Sequence, residues 1–282
     1  MKLTRIGLAV TILSLAGPVF ADPAEDAELI INGDETLVVR APAPAHLEGV
    51  MPEVLSGWLY RDETTRAMEM DDFDNPGMIA VDTGKELWAA VDGSEGKSCA
   101  SCHEDLSSLK GVRAAMPKVN DKGELWSLEN YVNNCRETRM GAEAWGWNSP
   151  QMQGVVAAIS VQSRGLPISV AIDGAAEPFW QQGKEMYYTR YGQLELSCAN
   201  CHEDNNGNYI RADHLSQGQI NGFPTYRLKD AGLVSIHGRF KGCIRDTRAE
   251  TYKEGSPEFR ALELYVASRG AGLSVEGVAV RP

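Results

Sequence analysis

Two stretches of this 282-residue chain carry the same reactive constellation. Cys99, Cys102 and His103 form one C-x-x-C-H, and Cys198, Cys201 and His202 form another. Thiols at i and i+3 lie on one side of a helical turn, where they can form thioethers with the two vinyl groups of a haem. The adjacent histidine then reaches the iron as proximal ligand. A bare C-x-x-C would fit a thioredoxin-like redox pair or half of a zinc site. The histidine after each pair and the repetition of the motif argue against both. The spacing predicts two covalently bound haem c groups.

That leaves Cys135 and Cys243, which lie 32 and 41 residues after His103 and His202. A disulfide between them is one reading. The other is that each is the sixth ligand to its iron, since equivalent places in two copies suggest one local role played twice. Met116, Met140 and Met152 compete for that role in the first copy, but the second has no methionine after Met186. His214 and His237 could serve the second iron, and neither has a counterpart in the first copy. Cysteine at both irons is favoured, with His237 the main rival at the second. A thiolate ligand lowers a haem potential relative to methionine.

The elements that must position these groups also repeat. SCASCHED at 98–105 returns as SCANCHED at 197–204, CRETR at 135–139 answers CIRDTR at 243–248, and SRG at 163–165 answers SRG at 268–270. The fold class expected is mainly α, with two tandem cytochrome c-type domains related by internal duplication and preceded by an N-terminal extension. The expected boundaries are 81–175 and 176–282, with an acidic extension at 22–80. Ser149 is an N-cap candidate with Pro150 at the first helical position; Met152, Val155, Val156 and Ile159 then form an apolar face closed by Gly165. Ser256, Pro257, Phe259, Leu262, Val266 and Gly270 repeat that grammar. A further helix is expected from about Gly123 to Asn133, with Leu125, Leu128 and Val132 inward. Each unit has too little continuous apolar sequence for a generous core, and a large buried cofactor would supply the missing volume.

Residues 1–21 read as a cleavable secretory signal, with Lys2 and Arg5 before the apolar run and Val19, Phe20 and Ala21 at the cleavage site. The run is too short to span a bilayer, so a periplasmic location with no membrane span is expected. The net charge of −12 disfavours nucleic acid as a partner. Residues 22–80 alone hold 14 acids against 3 bases. Trp58, Tyr60 and Phe73 suggest that this extension packs onto the domains, and its charge could steer a basic partner. His46, within it, reads as an exposed or structural residue.

The two copies differ around their second cysteine. Four residues before it stands Tyr131 in one copy and Arg239 in the other; two before it, Asn133 against Lys241. Cations beside a sulfur hold it as thiolate, and they also bind a small oxyanion, Arg by bidentate hydrogen bonds and Lys as a point charge. The second site therefore reads as an anion-binding, thiolate-ligated haem and the first as an electron relay. Arg248 is assigned only to a solvated face.

With two C-x-x-C-H sites, a cysteine downstream of each, and the segment RFKGCIRDTR at 239–248, nearly the whole chain resembles the SoxA family of dihaem cytochrome c subunits. The resemblance implies His103/Cys135 and His202/Cys243 as axial pairs and a monohaem SoxX partner. It implies that thiosulfate is joined oxidatively to a cysteine of the SoxYZ carrier, an L-cysteine S-thiosulfotransferase reaction. The electrons would then leave to a small cytochrome c. Cys243 would be a cysteine persulfide and Arg239 the substrate-holding arginine, to which Lys241 is added on charge grounds. The competing readings are a dihaem electron carrier without catalysis of its own, and a dihaem peroxidase. The peroxidase needs an iron that can open to peroxide, against a cysteine offered at each iron here.

Overall fold

The computed structural model describes residues 23–282 except 25 and 104, so the expected secretory signal at 1–21 lies outside the described residues. The fold is mainly helical: α1 (Glu63–Met70), α2 (Met78–Ala89), α3 (Ala100–His103), α4 (Leu128–Cys135), α5 (Pro150–Val161), α6 (Glu177–Tyr188), α7 (Cys198–His202), α8 (Ile236–Asp246) and α9 (Pro257–Arg269). The strands among the described residues are two or three residues long and act as clamps between loops.

Two crossed helix pairs carry the frame. α2 meets α5 where a Cβ on Gly84 would stand 2.0 Å from the Gly154 carbonyl oxygen; α6 meets α9 where one on Gly183 would stand 2.0 Å from that of Ala261. Any larger residue would force the backbones apart. Around the first pair, Trp88, Leu128, Val132, Met152, Val155, Val156 and Ile159 form a core onto which Cys99 packs. Around the second, Trp180, Tyr187, Phe259, Leu262, Tyr265 and Val266 do the same for Cys198. Met116 and Met152, considered above as ligands, are buried in the first of these cores.

The Ser-Pro helix starts behave as their chemistry predicts. Ser149 Oγ accepts from the Met152 amide and Ser256 Oγ from the Phe259 amide, each with proline at the first turn. The expected helix at 123–133 needs correction, because it begins only at Leu128. Leu125 and Trp126 pair instead with Val119 and Lys118 in an antiparallel clamp. Leu125, Leu128 and Val132 are nonetheless buried.

The acidic extension is part of the packed body. Trp58 and Tyr60 are buried, Ser274 N donates to Val38 O at 2.9 Å, and Leu55 N donates to Gln217 Oε1 at 2.7 Å. Buried Glu69 of α1 binds Arg281 at 2.5 Å and the Val280 amide at 2.9 Å. His46 rests edge-on against Trp180 at 5.4 Å. Phe73 departs from the expectation: it is 95% exposed, in a turn whose Asp72 is occupied by Asn32 and Arg164.

Candidate haem and thiolate site

The C-terminal site is assembled from α7, α8 and the loop between them. Ser197 starts α7 with a reciprocal cap, its Oγ accepting from Asn200 N while Asn200 Oδ1 accepts from Ser197 N. This one-turn helix puts Cys198, Cys201 and His202 on adjacent positions. His202 Nδ1 donates to the Ser216 carbonyl at 2.7 Å. Such a bond fixes tautomer and ring orientation and leaves Nε2 as the free electron-pair donor, the usual arrangement of a metal-binding histidine. Gly218, at φ +75°, lies under the ring, and a Cβ there would come within 2.8 Å of it.

Cys243 comes from α8, capped by Ser235, and faces the same place. Burial acts to raise its thiol. Arg239 and the adjacent His202 outweigh that and bring it down to about 7. Arg239 is one helical turn before Cys243 and on the same face, as i and i+4 must be. The nearby Cys243 charge holds the Arg239 proton more firmly still. No hydrogen bond or ion pair among the described residues engages the Arg239 guanidinium. Burial drives the other two thiols upward, Cys198 to about 12, with Cys243 as the next contributor to each. Cys198, Cys201, His202, Cys243 and Arg239 are therefore brought together.

Lys241 is not brought into this group. Its Nζ lies 2.9 Å from Glu254 Oε1. Two residues along a helix is more than half a turn away, so it cannot share a face with Cys243. His237 and His214 are engaged elsewhere as well. His237 contacts Glu263 at 3.1 Å and accepts from Gly255 N at 2.9 Å, while His214 bridges the carbonyls of Tyr60 and Gly207 at 3.2 and 3.0 Å.

The N-terminal site is simpler and more open. Ser98 caps the short α3 through reciprocal bonds with Ser101, and Trp88 packs against His103 at 5.6 Å. Cys102 and His103 are exposed. Cys135 ends α4 and lies close enough to Cys99 and Cys102 for their charges to matter. Burial, then the Cys102 charge, push its thiol up, with Arg139 opposing. Tyr131, in the place of Arg239, stacks edge-on against Trp126 at 5.0 Å. A π-turn at Arg136–Met140 follows, and Arg136 is held there by Asp92 at 2.7 Å and by the face of Trp145 at 3.6 Å.

The surroundings fit a haem. None of the six cysteines is disulfide-bonded. Buried Arg269 binds Glu203 at 2.5 Å and stacks on Tyr187 at 4.3 Å, yet its Nε and Nη2, the Tyr187 hydroxyl and both polar atoms of Gln219 have no partner among the described residues. Unmatched buried donors beside Cys198 suit a carboxylate such as a haem propionate. Arg269 is the arginine of the second SRG, visible in the repeat but given no role there. Its counterpart Arg164 is turned to Asp72 at 2.9 and 3.0 Å. Sequence reasoning also missed Ser216 and Gly218, and the flanking cations Arg227 and Arg61. Burial, then Arg239, lowers Arg227; burial and Arg281 lower Arg61 to about 10. No local motif marks any of these four.

A relative from Paracoccus pantotrophus, named L-cysteine S-thiosulfotransferase subunit SoxA, is 58% identical over 281 residues, covering 99% of this chain and 95% of the relative. The chain belongs to the SoxA family. A relative of the same name from Rhodovulum sulfidophilum is 52% identical, with 99% of each chain covered. The family model described as SoxA/TsdA, cytochrome c domain, matches residues 83–168, and such a domain carries haem c. The fold is similar to the solved structure described as the crystal structure of SoxXA from P. pantotrophus. The TM-score is 0.91 at 58% identity, covering 93% of this chain and all of that one. No helix among the described residues is long and apolar enough to cross a membrane.

Proposed function

We propose that the chain is the haem-bearing subunit that joins thiosulfate oxidatively to a cysteine of the SoxYZ carrier. Cys243, as a persulfide, forms a sulfur–sulfur bond with the terminal sulfur of thiosulfate, and two electrons leave. The carrier thiol then loses its proton and displaces Cys243, departing as the S-thiosulfonate with the Cys243 persulfide restored. Arg239 holds the anionic sulfonate end through both steps. Haem c supplies one-electron acceptance next to the sulfur. Cys198 and Cys201 would hold it there, with His202 and Cys243 supplying donors to its iron.

In this reading Cys99 and Cys102 would hold a second haem, with His103 and Cys135 supplying donors to its iron, in a duplicated cytochrome domain at 81–175 that serves as a relay beside the active domain at 176–282. The parallel crossings at Gly84 and Gly183 support a duplication. The name of the similar SoxXA structure supports a SoxX partner, from which electrons would pass to a small cytochrome c. A signal at 1–21 would deliver the chain to the periplasm. Lys241, held by Glu254, is left out of the substrate grip.

The observation that carries the reading is the unengaged Arg239 guanidinium one turn from Cys243. Arg239→Ala should lower thiosulfate-dependent turnover with the carrier by roughly 100-fold, the loss of a charge-assisted contact worth about 3 kcal/mol. Haem absorbance should not change. Near-normal turnover in that variant would leave a plain electron carrier as the better description.

A further inference from the structure

A polar cluster buried between the two iron-site helices has no part in the reaction above. Glu263 of α9 accepts from Ser127 Oγ, the residue capping α4, and from His237 Nε2, in the first turn of α8, at 3.1 Å. One carboxylate thus ties together the N-terminal ends of the helices that bear Cys135 and Cys243. Because His237 Nδ1 accepts from Gly255 N at 2.9 Å, the imidazole is the neutral tautomer with its proton on Nε2. Trp147 stacks on it at 4.8 Å and keeps water away.

A second carboxylate, Glu129, is buried in the first turn of α4, and among the described residues its only donor is its own backbone amide. It lines a cavity of about 10 Å³ with Glu263, Arg113, Gln153 and Ser235. Gln153 Oε1 is buried there without a partner. The space is about that of one water molecule. The ionisable groups facing Glu129 are Glu263 from α9, His237 from α8 and Arg113 from the turn at Arg113–Ala115. The one fixed cation, Arg113, balances one carboxylate and not two.

We propose that Glu129 and Glu263 form a buried proton-binding site whose proton occupancy rises when an electron reaches the iron sites and falls on oxidation. The His237 and Ser127 donors favour the charge on Glu263, so the mobile proton belongs to Glu129. In agreement, burial and then Glu263 raise Glu129 to about 7, while the His237 hydrogen bond and Arg113 hold Glu263 low against burial. Six residues of α4 separate Glu129 from Cys135, about 9 Å along the axis. Unit charges roughly 12 Å apart at an effective dielectric of about 20 shift each other's equilibrium about tenfold. Each electron gained raises the proton affinity of the Glu129 carboxylate about tenfold, so that roughly half a proton per electron enters it near the middle of its titration.

The inference rests on the haem occupancy proposed above, which absorbance per polypeptide checks separately and without any turnover. The test is a potentiometric titration of the haem-loaded full chain between about pH 5.5 and 8.5. In the unsubstituted protein the midpoint potential of at least one haem should fall as pH rises across this window. The fall should be about tenfold in electron affinity, or about 59 mV for a one-electron couple. In Glu129→Gln, with unchanged haem absorbance, it should be flat. A flat unsubstituted protein, or a variant that keeps the full slope, overturns the proposal. If the variant fails to load haem, redox-difference infrared spectra of the unsubstituted protein decide. A protonated-carboxyl band gained on reduction supports the site, and its absence overturns it.

Discussion

Cys135 and Cys243 occupy the same place in parallel surroundings, yet their thiols are driven in opposite directions. Cys135 ends its helix beside Cys99 and Cys102 with Tyr131 one turn earlier, and burial raises it. Cys243 is no less buried, but Arg239 stands one turn earlier and His202 lies beside it, and it falls to about 7. Burial sets the common direction in both, and the guanidinium at i−4 together with His202 reverses it. Anchoring differs as well: His202 is locked by Ser216 O, whereas no hydrogen bond to the His103 ring is made among the described residues. Under the proposed function, the C-terminal site holds the reactive sulfur and the N-terminal one only a cofactor.

The sharpest way to break this contrast is to remove each cysteine in turn. Cys243→Ala should abolish thiosulfate-dependent turnover, a loss on the order of 10³-fold or more, while Cys135→Ala should cost less than about tenfold. Comparable losses in steady-state assays with the carrier would erase the distinction.

Gly218→Ala tests the anchoring. A Cβ at positive φ and 2.8 Å from the His202 ring should displace it, costing about 1 to 3 kcal/mol in denaturant unfolding and altering the ligand-field spectrum of one haem only. Lys241→Ala should change turnover less than about twofold, since its partner is Glu254 on another face. A loss near that of Arg239→Ala would return Lys241 to the substrate grip.

The smallest effect concerns pH and stability. The folded state holds Glu129 protonated up to about 7, whereas an unfolded glutamate releases its proton near 4.5. Folding therefore binds a proton over that window, and stability should decline as pH rises through it. In Glu129→Gln the decline should be shallower, as read from unfolding midpoints at about pH 5 and 8.

What was legible in the chain was what neighbours within one or two turns decide. Ser149 with Pro150 and Ser256 with Pro257 start helices because cap and proline act locally. Arg239 and Cys243 share a face because helical geometry requires it. The helix expected from Gly123 was misjudged because Leu125 and Trp126 found strand partners that local propensity cannot reveal. Phe73 looked like packing material by type, yet it faces solvent in a turn set by Asn32 and Arg164.

By itself the sequence determined which atoms can bond to a cofactor and which turn carries each of them, since thioether spacing and helix capping are short-range. Tertiary structure alone decided that a carbonyl fourteen residues away orients His202, that Glu254 claims Lys241, and that Glu263 joins the two cysteine helices. Those choices depend on which chain segments are buried together. Burial is where an unmatched charge or donor costs most, so packing had to settle every one of them.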